Sequence, residues 1–337
     1  WIHCHLALTP ISLTTINPEI PPMLNEIVMK LVSKNPEERY QSADGLLYDL
    51  PLCQRSPLST FELGKQDFSH ELQAPKKLYG RELQVEKLLN AFEDASKGQA
   101  VLALVSGFSG IGKTSVVHEI HKPITAKRGL FLSGKFDQLR RNTPYAAILE
   151  SFESLIQQLL ASPSNELAIW RHKIIEALGS NAQYLVNVLP SLSSIIDVPP
   201  VLPPDTQYDH RNRFELTIRA FIKVFTQKTH PLVIFLDDLQ WVDSASLKLI
   251  KTLLNDPEQR HLLLIGAYRD NEISEDHHLY HAINDFKQAI STVFELHIDT
   301  LTRTEADQII LDMLCSSVVN ETELQACIYQ KTAGNPF

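Results

Sequence analysis

Ala100-Val101-Leu102-Ala103-Leu104-Val105-Ser106-Gly107-Phe108-Ser109-Gly110-Ile111-Gly112-Lys113-Thr114 is the stretch from which the fold is read. An apolar run enters Gly107–Thr114, and a helical pattern with Val116, Val117 and Ile120 leaves it. The eight residues fit G-x-x-x-x-G-K-[ST], a loop that cradles phosphate between a strand and a helix. Glycines let the backbone wrap a phosphate with no Cβ in the way, so successive N–H groups can point inward. The helix that follows adds its N-terminal partial positive charge. In this reading Gly107, Ser109, Gly110, Ile111 and Gly112 form the cradle. Lys113 reaches the β- and γ-phosphates, and Thr114 offers its hydroxyl to Mg²⁺.

Pro231-Leu232-Val233-Ile234-Phe235-Leu236-Asp237-Asp238 is the second strong signal. A continuous apolar strand is buried on both faces, as in a parallel sheet, and ends in two acids. Ligands of such sheets lie at the carboxyl ends of the strands. Two adjacent carboxylates repel, so a bound cation is physically sensible there. Asp237 is expected to hold Mg²⁺, and Asp238 to orient or activate an attacking water. These residues have the features of a Walker B motif.

The totals exclude some classes. The 337 residues suffice for two domains. A formal net charge of −9 argues against a nucleic-acid surface. Cys4, Cys53, Cys315 and Cys327 form no C-x-x-C pair, which fits a reducing cytoplasm better than a disulfide framework. No apolar run approaches the roughly 20 residues that span a bilayer, and the start lacks a signal-peptide layout. The chain starts at Trp1 and stops at Phe337 directly after a motif, so it reads as a fragment of something longer.

Further segments carry family resemblances. Leu31-Val32-Ser33-Lys34-Asn35-Pro36-Glu37-Glu38-Arg39-Tyr40, with Ser42, Ala43 and Leu46, resembles the end of a protein Ser/Thr kinase C-lobe. In that family the arginine at the place of Arg39 is structural. The glycine-rich loop, V-A-I-K lysine, H-R-D and D-F-G are absent, so this segment cannot itself phosphorylate protein. Leu78-Tyr79-Gly80-Arg81-Glu82 resembles the first motif of signalling ATPases of the STAND and AAA-like class, which covers adenine and ribose. That implies nucleotide contacts for Tyr79, Gly80 and Arg81, while Gln84 departs from the acid often found at its place. Leu239-Gln240-Trp241-Val242-Asp243 continues the resemblance. It implies that Arg269 is the sensor contacting the γ-phosphate, and that Pro336 of Gly334-Asn335-Pro336-Phe337 packs on adenine where the lid opens.

The expected fold is a three-layer α/β P-loop domain with a parallel five-strand sheet. The resemblance implies the order 5-1-4-3-2. Residues 1–50 are read as an incomplete, all-α kinase C-lobe remnant and 51–76 as a linker. Residues 77–300 form the ATPase core, with a helical insertion over 144–230, and 301–337 start a truncated helical lid. Thr143-Pro144 is expected to open the first insertion helix. The stretch Pro190 to Pro204 is expected to cross the surface, and Ser244 to cap the helix after Walker B. His277, His278 and His281 read as a solvated helix start rather than a metal site. His3-Cys4-His5 reads as a strand end or cut terminus, and Arg211 and Arg213 are minor arginine-finger candidates.

The resemblance to multi-domain bacterial Ser/Thr and histidine signalling kinases implies a cytoplasmic ATPase switch using ATP and Mg²⁺. Its partners would be the other domains of the same protein and, depending on nucleotide, further copies of itself. A non-hydrolysing nucleotide-binding scaffold and a STAND-type transcriptional regulator are the alternatives.

Overall fold

The computed structural model describes residues 10–33, 38–55, 59–65, 67, 77–140, 143–196, 207–290, 292–314 and 321–336. The chain divides into two compact units: Leu78–Glu305 with Tyr329–Phe337, and the described parts of Trp1–Lys77 with Ala306–Ile328.

The larger unit is built on five strands: β1 Ala100–Ser106, β2 Leu130–Lys135, β3 Leu232–Asp237, β4 Leu262–Tyr268 and β5 Val293–His297. All pair in parallel, in the order β2-β3-β4-β1-β5. This is the expected order, with the Arg269 strand between the P-loop strand and the Walker B strand. The central strands are apolar on both faces because helices cover both. Val101, Ala103 and Val105 of β1, with Val233, Phe235, Leu263 and Ile265, face the side where Leu88, Phe92, Val116, Ile120 and Ile124 pack. Leu102, Leu104, Ile234, Leu236, Leu262 and Leu264 face the other side. There Phe152, Phe221, Phe225, Ile250 and Phe286 close the core. Odd and even strand residues thus serve two separate cores, which makes three layers.

The insertion between β2 and β3 holds the helices Ala146–Leu160, Ser164–Leu178, Ala182–Val186 and Gln207–Phe225. Its first helix starts at Ala146 rather than at Thr143-Pro144. Tyr145, buried and left-handed at φ 63°, turns the chain before helical geometry begins. This helix lies close to β2 because Gly134 has no side chain: a Cβ there would sit 2.1 Å from the Ala147 carbonyl oxygen. The stretch after Pro190 does not run over the surface as far as it is described. Pro190–Ser194 is a 3₁₀ turn that buries Leu192 and is followed by buried Ile195 and Ile196. Residues 197–204 lie outside the described set.

The smaller unit contains the helices Leu13–Ile16, Pro22–Leu31 and Ala43–Arg55. Met23, Ile27 and Cys53 form its core, with Leu24, Tyr40, Leu46, Phe61 and Leu63 around them. The Ser42 hydroxyl accepts from Gly45 N, capping the last of these helices. That helix continues through Pro51 to Arg55 and places Cys53 in the core. Asp49 is fully buried and accepts from Tyr40 Oη (2.6 Å) and Gly64 N (2.7 Å). Burial beside that carboxylate pushes the Tyr40 phenol well above its ordinary range. Of the kinase-like segment, 34–37 fall outside the described residues, as do residues 1–9 with His3-Cys4-His5.

Candidate nucleotide site

The carboxyl ends of β1, β3 and β4 bring Thr114, Asp237, Asp238 and Arg269 together beside the loop that carries Lys113. Gly107, Gly110 and Gly112 have φ of 149°, 75° and 99°. A side chain is excluded at Gly107 by space as well as conformation, since its Cβ would lie 2.6 Å from the Ile298 carbonyl oxygen. At Gly112 nothing lies within 4 Å of such a Cβ, so backbone conformation alone selects glycine. Lys113 is largely buried, and its ammonium donates to the carbonyls of Gly107 (2.7 Å) and Phe108 (2.8 Å). Burial lowers its pKa, against the opposing pull of Asp237. Ser109 O accepts from Asn335 Nδ2 at 3.1 Å, and Ile111 is buried in the core beneath the loop.

Thr114 Oγ1 donates to Asp237 Oδ2 at 2.9 Å, while Asp237 Oδ1 accepts from Asp238 N, also at 2.9 Å. Asp238 is left-handed, at φ 54° and ψ 46°, which turns its carboxylate off the strand line. Its Oδ1 accepts from Gln240 Nε2 at 2.8 Å and lies 3.5 Å from Arg269 Nε. Its Oδ2 lies 3.2 Å from Lys135 Nζ, at the end of β2. Arg269 also pairs with Glu272 (2.7 Å), and its guanidinium sits 5.2 Å from the centre of the Trp241 ring. The surface ion pair with Glu272 and the approach to Asp238 therefore coexist.

Tyr79 and Arg81 are buried, and Gly80 is left-handed at φ 62°. A Cβ on Gly80 would lie within 1.9 Å of Glu305 Oε1. Arg81 Nη2 donates to the Asp299 carbonyl at 2.5 Å, so this arginine ties its segment to the chain after β5. Its burial lowers the pKa, opposed by Glu305 and Asp299. Gly334, left-handed at φ 79°, accepts from Leu301 N at 2.8 Å, and Pro336 beside it is exposed.

Gly107, Gly110 and Gly112, all at positive φ, shape the loop Gly107–Lys113. The hard oxygens of Thr114 and Asp237 face each other at the distance a small divalent cation can bridge. The residues present therefore fit a nucleoside triphosphate and Mg²⁺.

Four participants were not singled out from the sequence: Lys135, Gln240, Trp241 and Asn335. Gln240 and Trp241 stand in the quoted motif, but no spacing rule states what they touch. Lys135, Phe136, Arg140, Glu150, Trp241 and Asp243 line an adjacent cavity of about 350 Å³. Asp243, not Ser244, caps the helix Ser244–Asn255 by accepting from Ser246 N and Oγ. His277 Nδ1 accepts from Leu279 N, and His278 Nε2 donates to Val242 O, so both are structural. Arg213 is on an exposed face of its helix, and the Arg211 side chain lies outside the described set.

Residues 77–265 match the family described as AAA ATPase domain. The chain belongs to that family. Nucleotide binding goes with it. The chain is also 33% identical over 278 residues to "Hybrid signal transduction histidine kinase G" of Dictyostelium discoideum. That match covers 75% of this chain and 8% of the relative. It is 24% identical over 296 residues to "Histidine protein kinase 1" of Candida albicans, covering 75% and 12%. The chain thus matches only about a tenth of the length of these relatives. Among solved structures, it resembles Cdc6p of Pyrobaculum aerophilum with a TM-score of 0.45 and 14% identity, covering 75% of this chain and 55% of that one. For the Aeropyrum pernix ORC1 protein in complex with DNA the values are 0.42, 15%, 77% and 56%. Among the described residues, no helix is long and apolar enough to cross a membrane.

Proposed function

We propose that this AAA domain binds ATP with Mg²⁺ and hydrolyses it slowly, as a nucleotide-dependent switch within a multi-domain signalling kinase. One observation carries the reading: Thr114, Asp237, Asp238 and Arg269 converge beside the loop that holds Lys113. In this reading Lys113 leaves the Gly107 and Phe108 carbonyls to reach the β- and γ-phosphates. Thr114 and Asp237 hold Mg²⁺, which would neutralise developing phosphate charge. Asp238 orients the attacking water, and Arg269 reads the γ-phosphate. Tyr79 and Gly80 with Arg81 on one side, and Pro336 on the other, enclose the adenosine. Lone P-loop switches turn over at about 10⁻⁴ to 10⁻² s⁻¹, and similarly low activity is expected here.

The signalling context draws support from the two histidine-kinase relatives. Both come from eukaryotes, so they lend nothing to a bacterial source. Residues 1–50 are proposed as a Ser/Thr kinase C-lobe remnant in a STAND-like arrangement. The apolar side chains Ile16, Leu31, Val32, Leu47 and Tyr48, all exposed in the smaller unit, support its being part of a larger fold.

The test is Asp238→Asn. ATP affinity is expected to stay near wild type while Mg·ATP turnover falls. Full-rate hydrolysis in that variant would remove Asp238 from its role. The engagement of both Asp238 oxygens by Gln240 and Lys135 favours a second reading, a nucleotide-binding scaffold without hydrolysis. In that case wild type and variant would bind ATP alike and neither would turn over.

A further inference from the structure

Gln240 is 1% exposed and uses both ends of its side-chain amide. Its Nε2 donates to Asp238 Oδ1 at 2.8 Å, and its Oε1 accepts from Arg269 N at 3.2 Å. The amide therefore spans from the end of β3 to the end of β4. Its orientation is fixed, because a carboxylate only accepts and a backbone N–H only donates. Rotation by half a turn would break both bonds at once and leave a buried carboxylate oxygen facing a carbonyl. The other Asp238 partner has no such constraint. Lys135 is 66% exposed along its side chain, reaches Asp238 from solvent, and can leave for water.

We infer that Gln240 is a positioning residue that locks the Asp238 carboxylate to the backbone of Arg269, so that the two groups on the γ-phosphate side move as one. Both groups of the Gln240 amide are engaged by the protein, so in this inference it acts through Asp238. It holds Asp238 Oδ1, leaving Oδ2, on the Lys135 side, as the oxygen that can face a water. The turn Leu239–Trp241 also carries the Trp241 ring beneath the Arg269 guanidinium. A shift of Arg269 therefore registers at Trp241. This inference rests on the ATP reading above.

Gln240→Met keeps length and removes both hydrogen-bonding groups. Gln240→Glu keeps an acceptor for Arg269 N but sets a second carboxylate against Asp238. Thermal melts and calorimetric ATP affinity establish that each variant folds and binds. In steady-state Mg·ATP assays, kcat is expected to fall about a hundredfold with KM nearly unchanged, the scale expected when a reacting group is misplaced by about 1 Å. Gln240→Met combined with Asp238→Asn is expected to be no slower than Asp238→Asn alone, because Gln240 acts through Asp238. Additive losses, or an unchanged kcat, would overturn the inference.

A second readout is independent of turnover. In a Trp1→Phe, Trp170→Phe background, Trp241 emission is expected to change when Mg·ATP binds, and Gln240→Met is expected to abolish that change while ATP remains bound. An identical change in both proteins overturns the coupling even if no hydrolysis is found. Wild-type ATP binding without turnover, with the Trp241 response lost in Gln240→Met, would refute hydrolysis and keep the coupling.

Discussion

Thr114 Oγ1 donates to Asp237 Oδ2 at 2.9 Å, across 123 residues of sequence. The hydroxyl leads out of the P-loop and the carboxylate ends β3, and the sheet brings them together with β4 between their two strands. This pair makes a specific claim about Mg²⁺. Thr114→Val and Asp237→Asn should each weaken Mg·ATP binding by about 10–100-fold, as loss of ligand-shell groups does elsewhere. ATP affinity in EDTA should barely change. Titration of Mg²⁺ against a fixed ATP concentration checks this, and an unaltered Mg²⁺ dependence would remove the pair from the metal site.

Gly134 predicts a fold defect away from the nucleotide. Its missing Cβ lets the helix Ala146–Leu160 approach β2, with 2.1 Å left to the Ala147 carbonyl. Since that obstacle is backbone, Gly134→Ala must shift the helix, and overpacking of this kind costs about 1–3 kcal/mol. A melting temperature within a degree of wild type would show that the helix moves freely.

How much of this was legible in the sequence depended on whether the signal was local. The P-loop and the acid-terminated strand β3 are continuous patterns, so their elements and residues could be read directly. The strand order came through family resemblance, because spacing does not say which strands pair. Tyr145 was missed as the turn before its helix because Thr143-Pro144 imitates a helix start, while the residue that turns is a buried aromatic at positive φ. The proline-rich stretch Pro190 to Pro204 suggested a surface path, but Leu192, Ile195 and Ile196 are held in the core by distant helices. Gln240 stands in a quoted motif, but its role carried no signal, because its two partners are set by tertiary geometry at two strand ends.

His230 makes the insertion sensitive to pH. Its Nδ1 donates to Phe225 O, its ring lies 5.0 Å from Trp170, and its buried Nε2 has no hydrogen-bond partner among the described residues. Burial lowers its pKa below the ordinary 6.5, with the Phe225 bond opposing and Lys173 adding to the shift. The unfolded chain therefore takes up the proton first as pH falls. Stability from this group is complete above pH 6.5 and is lost below it, down through the folded pKa. Melting temperatures from pH 7.5 to 5 should fall more steeply for wild type than for His230→Gln. Parallel curves would show that this histidine does not contribute.

The central claim is that the loop around Lys113 binds ATP, and calorimetric titration of ATP into wild type and Lys113→Ala tests it most directly. Lys113 bonds two carbonyls of its own loop, so its removal should leave the fold intact, as a melting curve would show. Wild type is expected to bind ATP with Mg²⁺ present, and Lys113→Ala to give no measurable heat of binding. Equal ATP affinity in the two proteins would contradict the account.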